Sequence, residues 1–234
     1  MKLMIIRHGD PDYSIDSLTE KGWREAVLLA NRLVNTPIDA FYLSPLGRAQ
    51  ATARPTLESL KCNGETLLWM REFEGCIISP YSGNERNCWD LPPSLWCADE
   101  RCFHPTEWKE FPLYAESTSV GSSYAKVVAG VDELLARYGC VREGRLYRGG
   151  EDKTIALICH FALAMVVISH ILGIPMPVAV HNFYLAPTSV TTLELETDAA
   201  GGGHFRAIGI GDISHLYVGD EPMSYSGMHP NFEK

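Results

Sequence analysis

The pattern of the chain predicts an α/β fold, and three observations carry that reading. Residues 1–6, 38–43 and 154–159 are apolar runs of strand length. Segments with apolar residues at helical spacing alternate with them, at 19–35, 120–138 and 161–172. Reactive side chains stand just beyond the strand ends: Arg7-His8-Gly9 after the first, Ser44 to Arg48 after the second, His160 after the third. In open α/β sheets that edge is where ligands bind.

The first strand delivers Arg7 and His8 at its end. A histidine nitrogen is nucleophilic only when neutral, and an adjacent guanidinium favours the neutral form while attracting an anion. Together they suit attack on a phosphate. Residues 10–17, rich in turn formers, read as a loop over the strand end. Thr19 caps a helix to about Asn35, with Trp23, Ala26, Ala30 and Leu33 on its apolar face. The second strand ends at Ser44-Pro45-Leu46-Gly47-Arg48, and the helix after it points an anion-attracting N-terminus at the same edge. Arg48, in that first turn, could fork two hydrogen bonds to phosphate oxygens.

Residues 67–70 read as a further strand leading to Glu72, a carboxyl able to protonate a leaving group if burial keeps it protonated. Glu74 would face the same side of an extended segment. Residues 76–118, dense in Pro, Trp and Cys without a regular period, are expected to form a partly helical lid packed by Trp89, Trp96 and Trp108. Cys88, Cys97, Cys102 and His104 match no standard paired-ligand spacing, so no metal is expected there. The helix at 120–138 stops at Gly139, and 139–153 reads as a polar surface connection. A strand at 154–159 and a helix at 161–172 follow, with His170 assigned to packing. Residues 178–186, 189–195 and 204–210 read as strands, and 217–234 as an irregular polar tail.

Composition sets outer bounds. The 234 residues, 46% hydrophobic and 21% charged, suffice for a sizeable core and read as one domain over 1–234. A net charge of −9 argues against a broad surface for nucleic acid or an anionic membrane, so an anionic ligand needs local arginines. Seven scattered cysteines, an odd number, read as free thiols. The opening apolar run is too short for a secretory signal, which makes the cytoplasm the expected location. Residues 155–174 lack Lys, Arg, Asp and Glu over a length that could span a membrane, but His160 and His170 lie inside and Gly173 and Pro175 end the run. A buried strand followed by a helix is the reading taken.

Arg7-His8-Gly9, Leu18-Thr19-Glu20-Lys21-Gly22, and Ser44-Pro45-Leu46-Gly47-Arg48 followed by Thr52-Ala53 resemble, in order and spacing, the histidine phosphatase superfamily in its phosphoglycerate mutase-like branch. The likeness continues at Met70-Arg71-Glu72-Phe73, at Gly121-Ser122-Ser123-Tyr124, at His160 and at 212–216, leaving out about 76–118. It implies a three-layer α/β/α sandwich with a mostly parallel central sheet and an inserted lid at about 76–118. It also implies a catalytic set of His8 as nucleophile, Glu72 as proton donor and base, and His160. Arg7, His8, Arg48 and His160 would bind the substrate phosphate, with no metal and no cofactor. Two departures stand out: Gly121-Ser122-Ser123 where many members have Gly-Glu-Ser, and Phe161-Ala162 where a glycine usually follows the second histidine.

The activity so implied is a phosphomonoesterase acting on a small phosphorylated metabolite through a phosphohistidine. A phosphoglycerate mutase-like phosphomutase would use the same residues, and the two departures would suit a non-catalytic phosphate-ligand binding protein. Substrate and oligomeric state stay open.

Overall fold

A computed structural model describes residues 1–227 of the chain, so the end of the expected tail, 228–234, lies outside the described residues. In chain order the elements are β1 (Lys2–Arg7), the short pair β2 (Pro11–Asp12) and β3 (Ser17–Leu18), α1 (Glu20–Leu33), β4 (Ala40–Leu43), α2 (Gly47–Leu60) and β5 (Glu65–Thr66). Then come the hairpin β6 (Cys76–Ile78) and β7 (Glu85–Asn87), short helices α3 (Pro93–Trp96) and α4 (Pro112–Ala115), α5 (Val120–Ala136), and the hairpin β8 (Val141–Glu143) and β9 (Leu146–Arg148). The last are β10 (Thr154–Cys159), α6 (Phe161–Leu172), α7 (Met176–Asn182), β11 (Val190–Thr197), β12 (Gly202–Asp212) and α8 (Ser214–Val218).

Eight strands form one sheet in the order β5-β4-β10-β1-β11-β12-β9-β8. β5, β4, β10 and β1 run parallel, whereas β11 joins β1 antiparallel and every pairing beyond it is antiparallel. The sheet is therefore mixed, not mostly parallel. A short turn at Asp198 links β11 to β12, and a connection that short can only reverse the chain.

Alternation along β1 builds the layers. Met4 and Ile6 face a cluster with Leu29 and Leu33 of α1 and Ala49 and Ala53 of α2. Leu3 and Ile5 face the opposite cluster, with Val131, Leu134, Leu163 and Val167 of α5 and α6. The α/β/α layering follows. Most of α6 is buried, which accounts for the uncharged run at 155–174. Among the described residues no helix is long and apolar enough to cross a membrane.

Three local expectations are corrected. Residues 68–70 form a 3₁₀ turn after the two-residue β5, not a strand. The expected strand at 178–186 is largely α7: prolines at its start preset a helical φ, and Met176, Ala179 and Val180 share its buried face. The expected surface connection at 139–153 contains β8 and β9, which extend the sheet because Tyr147 is buried edge-on against Phe205 at 5.0 Å. Within 76–118, Trp108, Phe111 and Tyr114 pack into the α5–α6 side of the core, with Trp108 edge-on to Tyr124 at 4.8 Å.

Two glycines of the early motifs are explained by one close approach. A Cβ on Gly22 would lie 2.2 Å from the Asp10 carbonyl oxygen, and one on Gly9 would lie 2.9 Å from the Gly22 carbonyl oxygen. The first turn of α1 thus rests directly on the backbone that follows His8. Gly22→Ala is expected to cost about 1–3 kcal/mol, the usual range for overpacking, read as a lower urea midpoint; an unchanged midpoint would show that the loop yields freely.

Candidate active site

Three neighbouring strands end at one edge of the sheet. Arg7 of β1 lies opposite Cys159 of β10 in parallel register, so His8 and His160 leave the sheet side by side, ring centroids 5.1 Å apart. Leu43 of β4 lies opposite Ile158, and Ser44 beyond it meets His160 Nε2 through Oγ at 2.7 Å.

His8 is 2% exposed. Its Nδ1 lies 2.7 Å from the Gly9 carbonyl oxygen, which places the ring proton on Nδ1 and the lone pair on Nε2. Arg48 Nε donates toward that Nε2 at 3.3 Å. Burial, and after it Arg7, pushes the His8 pKa from 6.5 down to about 3. The sequence points to the arginine as the cause of neutrality; desolvation is the larger one.

Arg48 sits in the first turn of α2, and its Nη1 donates to Asp16 Oδ1 at 2.7 Å. Asp16 Oδ2 accepts from Gly47 N at 2.7 Å, supplying the cap that Leu46 at the N-cap position cannot. One carboxylate both closes the helix end and fixes the arginine. Arg7 donates from Nη1 to Leu185 O at 2.6 Å and from Nη2 to Ser226 O at 3.0 Å. Phe161 and Tyr184 present their ring faces to its guanidinium at 5.7 and 5.9 Å. Among the described residues Arg7 has no carboxylate partner, and its buried Nε has no hydrogen-bond partner. Among the described residues the guanidinium is thus held by backbone carbonyls and ring faces rather than by an ion pair.

Glu72 Oε1 accepts from Phe73 N at 2.8 Å and from Leu163 N, in the first turn of α6, at 3.1 Å. Burial raises its pKa above the ordinary 4.5, against the pull of those two N–H groups. Glu74 instead is exposed and pairs with Arg71 at 3.6 Å. The structure thereby separates the two carboxylates and buries Glu72, the one the resemblance favours. His160, fully buried, stands at the N-cap position of α6 with no side-chain capping bond, and burial followed by the nearby His8 holds its pKa well below 6.5. Its Nδ1 is buried and has no partner among the described residues. The helix begins directly at Phe161, so the missing glycine does not displace it.

A cavity of about 620 Å³ opens here, with Arg7, Arg48, Arg71, Glu72, Trp89 and Phe161 in its wall. Among the described residues no group of three or more His, Cys, Asp or Glu is placed to hold a metal ion, and Cys88, Cys97, Cys102 and His104 do not gather. Trp89 belongs to the cavity wall rather than to packing alone.

Sequence reasoning missed several supports of this site. Asp16 lay in a loop rich in turn formers, and its φ of +46° is one that short polar residues tolerate. Ser44 stood inside a recognised motif with no role assigned. Thr188, at φ +58°, donates its N–H to the Arg7 and His8 carbonyl oxygens at 3.1 and 3.2 Å, and its Oγ1 meets His215 Nε2 at 3.1 Å. That contact is how the 212–216 stretch reaches the site. The tail is not simply irregular surface: Ser224 is buried, its hydroxyl donates to Asp10, and the Ser226 carbonyl receives Arg7.

The model of the histidine phosphatase superfamily (branch 1) matches residues 3–202, and the chain belongs to that family. Similar solved structures include a phosphoserine phosphatase from Entamoeba histolytica, 21% identical with a TM-score of 0.63, the match covering 92% of this chain and 98% of that one. A mycobacterial glucosyl-3-phosphoglycerate phosphatase is 21% identical with a TM-score of 0.59, over 88% and 96% of the two chains. The alpha-ribazole phosphatase from Shigella flexneri is 19% identical with a TM-score of 0.56, over 91% and 100%. No curated protein matches the chain significantly in sequence.

The depressed pKa of His8 makes a prediction about stability. The unfolded chain takes up the His8 proton below about 6.5, the folded chain only below about 3, so this residue makes stability fall as pH drops between those values. The slope it adds is at most about 1.4 kcal/mol per pH unit. In urea unfolding from about pH 7 to about pH 4, His8→Asn should flatten the decline by part of that amount. An unaltered slope would mean that His8 titrates near its ordinary value.

Proposed function

We propose that the protein hydrolyses phosphate monoesters of a small metabolite through a phosphohistidine on His8. The observation that carries this reading is the His8 ring, locked by Gly9 with a neutral Nε2 lone pair beside Arg48. In the first step Nε2 attacks phosphorus in line, the bond to the alcohol oxygen breaks, and Glu72 gives that oxygen its proton. In the second, Glu72 takes a proton from water, whose oxygen attacks phosphorus and returns His8 with release of phosphate.

Arg7, Arg48 and His160 stabilise the charge on the phosphoryl oxygens. Arg7 Nε and His160 Nδ1, each buried without a partner, are the groups such an oxyanion would satisfy. Ser44 Oγ already accepts from Leu46 N, so its own hydrogen is free for His160 Nε2, an arrangement that leaves the imidazole proton on Nδ1. To admit phosphorus, Arg48 must move off His8 and onto the phosphate. Arg7 and Arg48 take the electrostatic part a metal would play, with neutral His160 as a hydrogen-bond donor, and the reaction is read as metal-independent.

Similar structures are of phosphatases whose named substrates differ in the alcohol, which agrees with a shared phosphate end and a variable leaving-group end. The reading includes one domain over 1–234, with 76–118 as a lid, and the cytoplasm as the compartment, on the strength of seven free thiols. It includes neither nucleic acid nor membrane as a partner.

Hydrolysis of p-nitrophenyl phosphate should persist in EDTA and vanish in His8→Ala. A folded wild-type chain inert toward aryl, sugar and glycerate phosphates would overturn the reading. For Glu72→Gln the expected loss is about 10²–10⁴-fold on alkyl esters and less on the aryl ester, whose leaving group needs little protonation. Equal losses on both would remove Glu72 as the proton donor.

A further inference from the structure

A second chamber of about 690 Å³ adjoins the first, with Trp89, Asp90, Phe161 and Gly227 common to both walls. The two differ in charge. Arg7, Arg48 and Arg71 line the first, whereas among the described residues no Lys or Arg lines the second. Rings make up much of its wall: Trp89, Trp96, Phe161, Phe183 and Tyr184. Such surfaces stack on the flat or apolar face of a ring.

The polar groups on that wall include strong acceptors. Among the described residues the half-buried Asp90 carboxylate accepts only from Asn87 Nδ2, at a long 3.5 Å. His181 Nδ1 lies 2.8 Å from the Pro177 carbonyl oxygen, so Nδ1 carries the proton and Nε2 is a bare acceptor. That Nε2 is buried and has no partner among the described residues, while the ring stacks on Trp96 at a centroid distance of 4.8 Å. A buried acceptor left unpaired is costly, and a donor from a ligand removes the cost. An anionic group would meet the Asp90 carboxylate, and the cation nearest in effect to it, Arg86, is not in the chamber wall.

We propose that this chamber is the subsite for the alcohol half of the substrate, and that this alcohol is ring-bearing, rich in hydroxyl donors and free of negative charge, as in a glycosyl or nucleoside phosphate monoester. The inference rests on the phosphatase reading. It gives the Phe161 departure a purpose: the ring stands between the Arg7 guanidinium, 5.7 Å away, and the second chamber, dividing the phosphate end from the leaving-group end.

The test compares kcat/KM of the full chain on adenosine 5′-monophosphate and glucose 6-phosphate with that on 3-phosphoglycerate, using p-nitrophenyl phosphate as reference. One or both ring esters should lead 3-phosphoglycerate by about tenfold or more, as expected for one well-made hydrogen bond to a charged group. Asp90→Asn should cut that preference severalfold, mainly through KM. Asn182→Trp, which fills the chamber from its exposed rim and disturbs little of the core, should abolish it. Turnover of p-nitrophenyl phosphate with 3-phosphoglycerate equal or preferred overturns this inference alone, as does a preference that both variants leave intact. A folded chain inert toward every ester, the aryl phosphate included, overturns the phosphatase reading and this inference with it.

Discussion

The parallel pairing of β1 with β10, Arg7 opposite Cys159, is the constraint on which the site depends. Side chains alternate faces along a strand, so a slip of one residue would send Leu3 and Ile5 into the layer that holds Met4 and Ile6 and would part His8 from His160. Burial on both faces therefore sets the register of the candidate site as well as the core. The end of β1 is then held by other elements: Thr188 N–H binds the Arg7 and His8 carbonyl oxygens, and the Gly9 amide donates to Thr52 Oγ1 at 2.9 Å.

Gathering Arg7, His8, His160 and Glu72 at such depth is costly unless each is neutral or hydrogen-bonded. The fold uses both routes. The two histidines lose their affinity for protons through burial, Glu72 is pushed toward its neutral form, and Arg7 keeps its charge between two backbone carbonyls and two aromatic faces. Arg48 is paired with Asp16 near the surface, and Arg71 of the cavity wall with Glu74. A chain of net charge −9 thus carries a local positive field where an anion is to bind.

How far the sequence could be read depended on the range of the interaction concerned. β1, β10, α1 and α6 were legible because apolar period and capping are local: Thr19 accepts from Gly22 N at 3.0 Å, as a cap should. Residues 178–186 were not, since a short apolar run satisfies a strand and a helix equally until α6 and the sheet decide which face it must bury. Residues 139–153 looked like surface because most of their side chains are polar, and only Phe205 across the sheet gives Tyr147 a reason to be buried. The antiparallel half of the sheet is a matter of which strand fills the free edge of β1, and no local pattern encodes that.

The same division runs through the site. By itself the sequence determined the identity and order of Arg7, His8, Arg48, Glu72 and His160, their places just beyond strand ends or in a first helical turn, and an early pair of glycines, because these follow from chain-local chemistry. Tertiary structure alone decided which of Glu72 and Glu74 is buried, which nitrogen of His8 is free, that Asp16 holds Arg48, and that Phe161 lines two adjoining chambers. Those outcomes depend on desolvation and on contacts between residues far apart in the chain, and neither exists until the layers have closed around them.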